Sequence, residues 1–286
     1  MNKKQLKTFA KIGISVLLLY LVYTKIDVHQ IVDLFKKSNP FIIALAIVFF
    51  VFSQLISSVR LNYIFHQNHF YLDHLSNLKL YFVGMFYNFF IPGGIGGDAY
   101  KVFILNKQFN WKVKDLTKSV FYDRLSGLLA IFCLLLFIGA YIISPGINMF
   151  LIGLVVSVIF FFVTKLLLKR FFKSIEAIYT KSFIYSLIIQ LLQIATIICI
   201  IIAFKLDVVS FLNYCFTFLV SSVSSVVSFA GFGAREYVFL KASTFLSIKQ
   251  TISASIGLSF NIITAIISLI GLLFLNTKLN LAQNQT

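Results

Sequence analysis

The sequence predicts an all-α polytopic membrane protein with seven or eight hydrophobic helices, two of them broken at glycines. Three observations lead there. Of 286 residues, 59% are hydrophobic and 12% charged, with a mean hydropathy of +0.94, far above the apolar share of a soluble domain. Several apolar runs approach or exceed the roughly 20 residues that cross a bilayer core of about 30 Å. The third is the stretch from Asn88 to Lys101, which puts Pro92, Gly93, Gly94, Gly96, Gly97 and Asp98 at what reads as membrane depth. Hydrocarbon gives free N–H and C=O groups no partner, so a helix breaks there only where its backbone lines a polar cavity or is covered by protein.

In chain order, residues 9–23 follow Lys3, Lys4, Lys7 and Lys11 and lack a small-residue cleavage site. They read as an uncleaved signal anchor. Residues 27–37 place Val28, Ile31, Val32 and Phe35 on one helical face, with Asp27 as candidate N-cap. That segment is too short to cross and reads as an interfacial helix. Clear spans follow at 41–59, 125–143, 147–168, 183–204 and 252–275, and weaker ones at 78–91 and 208–229 run into the glycine breaks. The chain reads as one integral membrane domain: anchor and interfacial helix (1–39), a first half (40–143) and a second half (144–286).

The net charge of +16 points to Lys and Arg gathered in cytoplasmic loops, not to nucleic acid. With a cytoplasmic amino terminus and a re-entrant segment at 78–97, 19 basic residues lie inside and 5 outside (Lys25, Lys36, Lys37, Lys205 and Lys278), leaving Arg124 in a span. The inside group contains the loop residues from Arg60 to Lys118 and from Arg235 to Lys249. If all eight segments cross from that start, the basic loops 101–118 and 165–181 move outside, so re-entry is favoured. An eight-span arrangement with an external amino terminus also keeps those loops inside and stays open.

The glycine break has an echo. Shifting the chain by 137 positions lays Gly94-Ile-Gly-Gly-Asp-Ala-Tyr100 on Gly231-Phe-Gly-Ala-Arg-Glu-Tyr237. Transporters carry such broken segments at corresponding positions of two halves, around a site near the midplane. Glycine allows a sharp turn that presents successive N–H groups, and a helix starting there adds its positive dipole end. Asp98 and Glu236 stand at the starts of the following helices, as plain helix-start acids or in coupling. Asp123 with Arg124, and Arg235 with Glu236, are charges at depth, which face a cavity or a partner. Adjacent Asp123 and Arg124 cannot share a helix face. Arg124 turned inward would hold a phosphate with its planar fork; the alternative is a buried pair such as Arg124 with Glu236 or Arg235 with Asp98.

The candidate substrate-binding residues are therefore Asn88, Pro92, Gly93, Gly94, Gly96, Gly97, Asp98, Lys101, Asp123, Arg124, Gly231, Gly233, Arg235 and Glu236. Cys133, Cys199 and Cys215 fall singly in apolar segments and read as small buried hydrophobes. His66, His69 and His74 are joined only by Asp73, so neither a metal nor a cofactor is expected.

Asn88, Pro92-Gly-Gly-x-Gly-Gly-Asp98, Arg124-Leu-x-Gly127 and Gly231-x-Gly-x-Arg-Glu236 together resemble the lysylphosphatidylglycerol synthase transmembrane-region family. These are flippase-like domains of the bacterial multiple peptide resistance factor and of stand-alone membrane proteins. The resemblance implies a bacterial cytoplasmic-membrane protein that moves or accommodates lipids with anionic, aminoacylated or polyprenyl-phosphate-linked headgroups. Ser228-Phe-Ala-Gly231 stands where the family usually has proline before its second glycines. Synthase members continue into a soluble aminoacyl-transferring domain; this sequence ends at Thr286 and shows no Ser-His-Asp, Cys-His or Walker-type constellation, so enzyme activity is not expected. The expected partners are membrane lipids, with a homo-oligomer or a cell-envelope pathway partner open. Rival readings are a membrane enzyme on a lipid-linked substrate and a non-transporting member of such a pathway.

Overall fold

A computed structural model describes residues 36–90, 96–171, 173–206, 211–224, 234–245, 250–276 and 281–283. The anchor and most of the interfacial helix expected before residue 36 lie outside the described residues. The first described helix named here, α1 (Pro40–Gln67), begins where the Asn39 side chain accepts the Phe41 N–H at 3.0 Å, with Pro40 in the first turn; both residues suit a helix start. It ends at Asn68 and His69, the latter in the left-handed region at φ 63°. After it come α2 (His74–Phe90), α3 (Gly96–Phe109), α4 (Val113–Ile143), α5 (Ile147–Phe171), α6 (Lys173–Ala203), α7 (Phe211–Ser224), α8 (Ala234–Phe245), α9 (Gln250–Ser268) and α10 (Ile270–Asn276).

Five stretches are long and apolar enough to cross a membrane: Pro40–Gln67, Val113–Ile143, Ile147–Arg170, Ala177–Ala203 and Gln250–Leu275. They cover the five clear apolar runs, all but Phe204, and four of them begin before the run does. Hydrophobicity marks where a helix meets lipid, while the helix itself continues through polar turns such as Lys114 to Lys118. The weaker runs became the shorter α2 and α7.

The helices are polar inside and apolar outside, as a lipid solvent demands. In α1, Ser53, Gln54, Ser57, Ser58 and Arg60 are buried while Phe41, Leu45, Val48 and Phe52 are exposed. On α5, Gly153 and Ser157 face α4, where Ser157 donates to the Cys133 carbonyl at 3.0 Å; most of its large apolar side chains point outward. Small residues let helices approach where no hydrophobic force drives them together. The central packing joins α1, α7 and α9 through Phe50, Phe218 and Phe260, with ring centroids 4.8 and 5.3 Å apart. The three cysteines are buried and unbridged.

Contacts at the two ends fix which elements lie together. The Asn39 N–H donates to the Ala203 carbonyl at 3.1 Å, so α1 starts where α6 finishes. At the other end, Leu72 bridges Gln283, Asp73 N–H donates to the Ala282 carbonyl, and Gln108 donates to the Leu281 carbonyl at 3.2 Å. Leu281 packs there among Phe70, Leu72, Leu105 and Leu116. These are called the Ala203 end and the Trp111 end. Lys278, which the charge count placed across the membrane from the Arg60–Lys118 group, lies outside the described residues.

Candidate functional site

The first glycine break opens α3. A Cβ on Gly97 would overlap the backbone of Gly84, and one on Gly84 would overlap the Lys101 side chain. The two helices therefore touch main chain to main chain, which no residue larger than glycine permits. Asn88, near the end of α2, accepts the Gly97 N–H at 2.8 Å through its side-chain oxygen. That N–H, read from the sequence as open to a headgroup, is taken up as an α3 cap.

The side-chain amide of Asn88 reaches Asp98 at 3.4 Å. The same carboxylate receives Lys101 Nζ at 3.3 Å and Arg124 Nε at 2.9 Å. Lys101 is buried, with its ammonium 5.0 Å from the Tyr81 ring centroid. Asp98 is largely covered, at 14% side-chain exposure, whereas Arg124 keeps 53%. Among the described residues Arg124 hydrogen-bonds only through Nε. One carboxylate thus faces two cations, and the outer one turns the rest of its fork outward.

Asp123 points the other way along α4. It takes both Nε and Nη2 of Arg60, at 2.8 and 3.1 Å, and Arg60 Nη1 reaches Ser186 Oγ at 2.8 Å. This buried fork ties α1, α4 and α6 together. The sequence reading turned Arg124 inward and left Arg60 in a loop; the structure buries Asp123 and leaves Arg124 half-exposed. The face argument was sound, since adjacent residues did diverge, but the partner was Arg60. A signal existed: Ser53, Ser57 and Arg60 recur at helical spacing in α1 and mark a polar face.

In the second half, Arg235 and Glu236 open α8, both buried. Arg235 Nε donates to Asn261 Oδ1 at 3.1 Å, and its guanidinium lies 4.5 Å from the Phe260 centroid and 5.1 Å from that of Phe218. Aromatic faces and amide oxygens stabilise a cation without a formal ion pair. Asn261 Nδ2 in turn donates to Glu236 at 2.8 Å. Neither pair named from the sequence forms: Arg124 meets Asp98 and not Glu236, and Arg235 meets Asn261 and not Asp98. Each break is served by the helices next to it in its own half.

Asn88, Gly97, Asp98, Lys101 and Arg124 are therefore brought together, Gly96 begins the same helix, and Asp123, Arg235 and Glu236 are held elsewhere. Pro92, Gly93, Gly94, Gly231 and Gly233 lie outside the described residues. Sequence reasoning missed Arg60, Ser186 and Asn261, each a buried polar residue on a membrane span. His66 Nε2 is bonded to the Leu72 carbonyl and His74 Nδ1 to Asn62, at 2.8 and 2.9 Å. No group of three metal-ligating side chains occurs among the described residues.

Five candidate spans define a multi-pass membrane protein, and a charged cluster lies at the start of α3. The chain belongs to the lysylphosphatidylglycerol synthase TM region family, whose model matches residues 8–271. No curated protein and no solved structure matches it. Membership links the chain to lipid handling.

Proposed function

We propose that this protein is a carrier that moves a lipid with an anionic headgroup, aminoacylated or polyprenyl-phosphate-linked, across the cytoplasmic membrane. The observation that carries this reading is Arg124: half-exposed, bonded through one nitrogen, beside a carboxylate already served by Lys101. A phosphate could take the outward nitrogens in a two-bond geometry. Arg124 and Asp98 each sit eleven residues from the Trp111 end of their helices, about 17 Å at 1.5 Å per residue. That length includes the polar turns from Lys114 to Lys118, so Arg124 stands where the apolar run of α4 begins, within reach of a headgroup.

Transport, as opposed to static binding, is supported by the internal repetition. Asp98 bonds Arg124 in the first half; the positions 137 later, Arg235 and Asn261, bond each other in the second. The packing follows the same plan: α1 lies against α6, α2 packs on α3 as α7 packs on α8, and α4 meets α7 as α9 meets α2. α1 runs from the Ala203 end to the Trp111 end, and α6 runs back. We infer two inverted halves, with α5 as the connecting span.

Counting crossings supports a topology with two re-entrant pairs. The loop before α2 and residues 281–283 share the Trp111 end, so the spans between them must be even in number. α4, α5, α6 and the α9–α10 stretch make four. The α2–α3 and α7–α8 pairs then re-enter, from opposite faces. Single cysteines in a background lacking the native three test this. Lys112→Cys and Gln283→Cys should react with an impermeant thiol reagent from the cytoplasmic side only, and Lys205→Cys and Lys241→Cys from the outside only. Labelling of position 241 together with 112 would mean that α7–α8 crosses.

The headgroup reading is tested by binding. Losing a charged hydrogen bond costs about 1.5–3 kcal/mol, so Arg124→Gln should weaken binding of a phosphate-bearing lipid roughly 10- to 100-fold. Arg124→Lys should fall between, because lysine lacks the planar fork. Isothermal titration or native mass spectrometry in detergent reads the change. Unaltered affinity in Arg124→Gln would remove Arg124 from the site.

A further inference from the structure

A cavity of about 650 Å³ opens at the Trp111 end between α1, α4 and the start of α6. Its rim holds Trp111, Lys112 and Lys118, and its wall Phe121, Leu125 and Ile178. Polarity is ordered along α4. The lysines lie where the helix begins, and Phe121 and Leu125 lie deeper, where the apolar run starts. Phe121 is 64% exposed although it sits on a membrane span.

Two features separate this cavity from the Arg124 site. Asp115, Lys118, Phe121, Tyr122 and Leu125 of α4 line it, and Arg124 does not. At 100° per residue, Arg124 leaves the helix about 120° from the centre of that face. Charge is also unevenly spent. The single acid at the rim, Asp115, pairs with Lys118 at 3.4 Å. Lys112 makes no ion pair among the described residues, nor a side-chain bond to the start of α4.

We propose that this cavity is a resident binding site for an anionic glycerophospholipid of the leaflet at the Trp111 end. The phosphate lies against Lys112 and Lys118, the glycerol region passes Trp111, and an acyl chain runs down Phe121 and Leu125. A cation over an apolar wall fits a lipid at the interface, where basic side chains attract anionic headgroups and aromatic rings hold the boundary. A soluble anion would leave the apolar wall in contact with water. The bound lipid braces the turn before α4 and is not the transported molecule.

Trp111 is the only tryptophan in the chain, so its fluorescence reports this cavity alone. The full-length protein is reconstituted in phosphatidylcholine vesicles containing a small fraction of phosphatidylglycerol brominated near the top of its acyl chains. The reference is the same fraction of brominated phosphatidylcholine. Two lysines near a membrane surface, at about 1 kcal/mol each, should enrich the anionic lipid roughly thirtyfold over its bulk share, so brominated phosphatidylglycerol quenches far more. In the Lys112→Gln/Lys118→Gln double variant, whose residues are on the surface, the two lipids should quench equally. In Arg124→Gln the preference should persist. Equal quenching in the wild type, preference retained in the lysine variant, or preference lost in Arg124→Gln would each overturn the assignment. The last result would fold the cavity into the transport site, while failure of the Arg124 reading alone leaves this one intact.

Discussion

Gly97→Leu is expected to abolish the folded protein, and Gly97→Ala to cost about 3 kcal/mol, the upper end of overpacking penalties. The sequence alone predicts a milder outcome, a blocked ligand site in an inserted protein, because leucine favours helices and tolerates lipid. The contact with Gly84 changes that expectation. The atoms a new Cβ would overlap are main-chain atoms of α2, which cannot rotate aside as a side chain can. The helices must separate, and with them go the Asn88 cap on Gly97 and the Asn88 contact to Asp98. Thermal unfolding in detergent reads the loss. Gly146→Ala, with nothing within 4 Å of the added methyl, serves as a near-neutral control. A Gly97→Ala protein as stable as that control would show that α2 and α3 need not touch.

Asp123→Ala should destabilise by about 3 to 5 kcal/mol, the range for leaving one member of a buried ion pair unpartnered. Arg60 is then left in the helix packing with Ser186 as its remaining hydrogen-bond partner. Arg60→Met with Asp123→Leu should recover most of the stability, since an apolar pair of similar size removes both buried charges. Double-mutant coupling, read by thermal unfolding, should therefore be strong. Simple additivity would mean that α1, α4 and α6 are held without this fork. Lipid binding at Arg124 should survive in the stable double variant, because Arg124 belongs to another face of α4.

The spans were legible because long apolar runs have one physical solution in lipid, and all five clear runs lie in long helices. The short runs before the glycine breaks were legible as incomplete spans, and α2 and α7 are shorter than the five spanning stretches. Partner choice was not legible. Arg60 lies near the end of an apolar run, where a loop charge and a buried one look alike in composition; only the stripe of Ser53 and Ser57 tells them apart. Asp98 was read correctly as a charge at a helix start. Its pairing with Arg124 depends on how α3 folds back against α4, which turns on a contact between two glycines and leaves no trace in hydropathy. Likewise, Asn261 is inconspicuous until the 137-position shift lays it on Arg124. The approach of residues 281–283 to the loop before α2 was not legible either: it rests on hydrogen bonds that join Asp73 and Ser76 to Ala282, which leave no mark in charge placement.

The central claim is that Arg124 holds a lipid phosphate during movement between leaflets. It is tested most directly with purified protein in vesicles carrying a fluorescent, headgroup-labelled lipid. A membrane-impermeant quencher added outside follows exposure of the inner-leaflet pool. The account predicts faster exposure of phosphatidylglycerol-type or polyprenyl-phosphate-linked lipids than in empty vesicles, and loss of that acceleration in a folded Arg124→Gln variant. No acceleration with any anionic or polyprenyl lipid, or equal acceleration by wild type and Arg124→Gln, would contradict it.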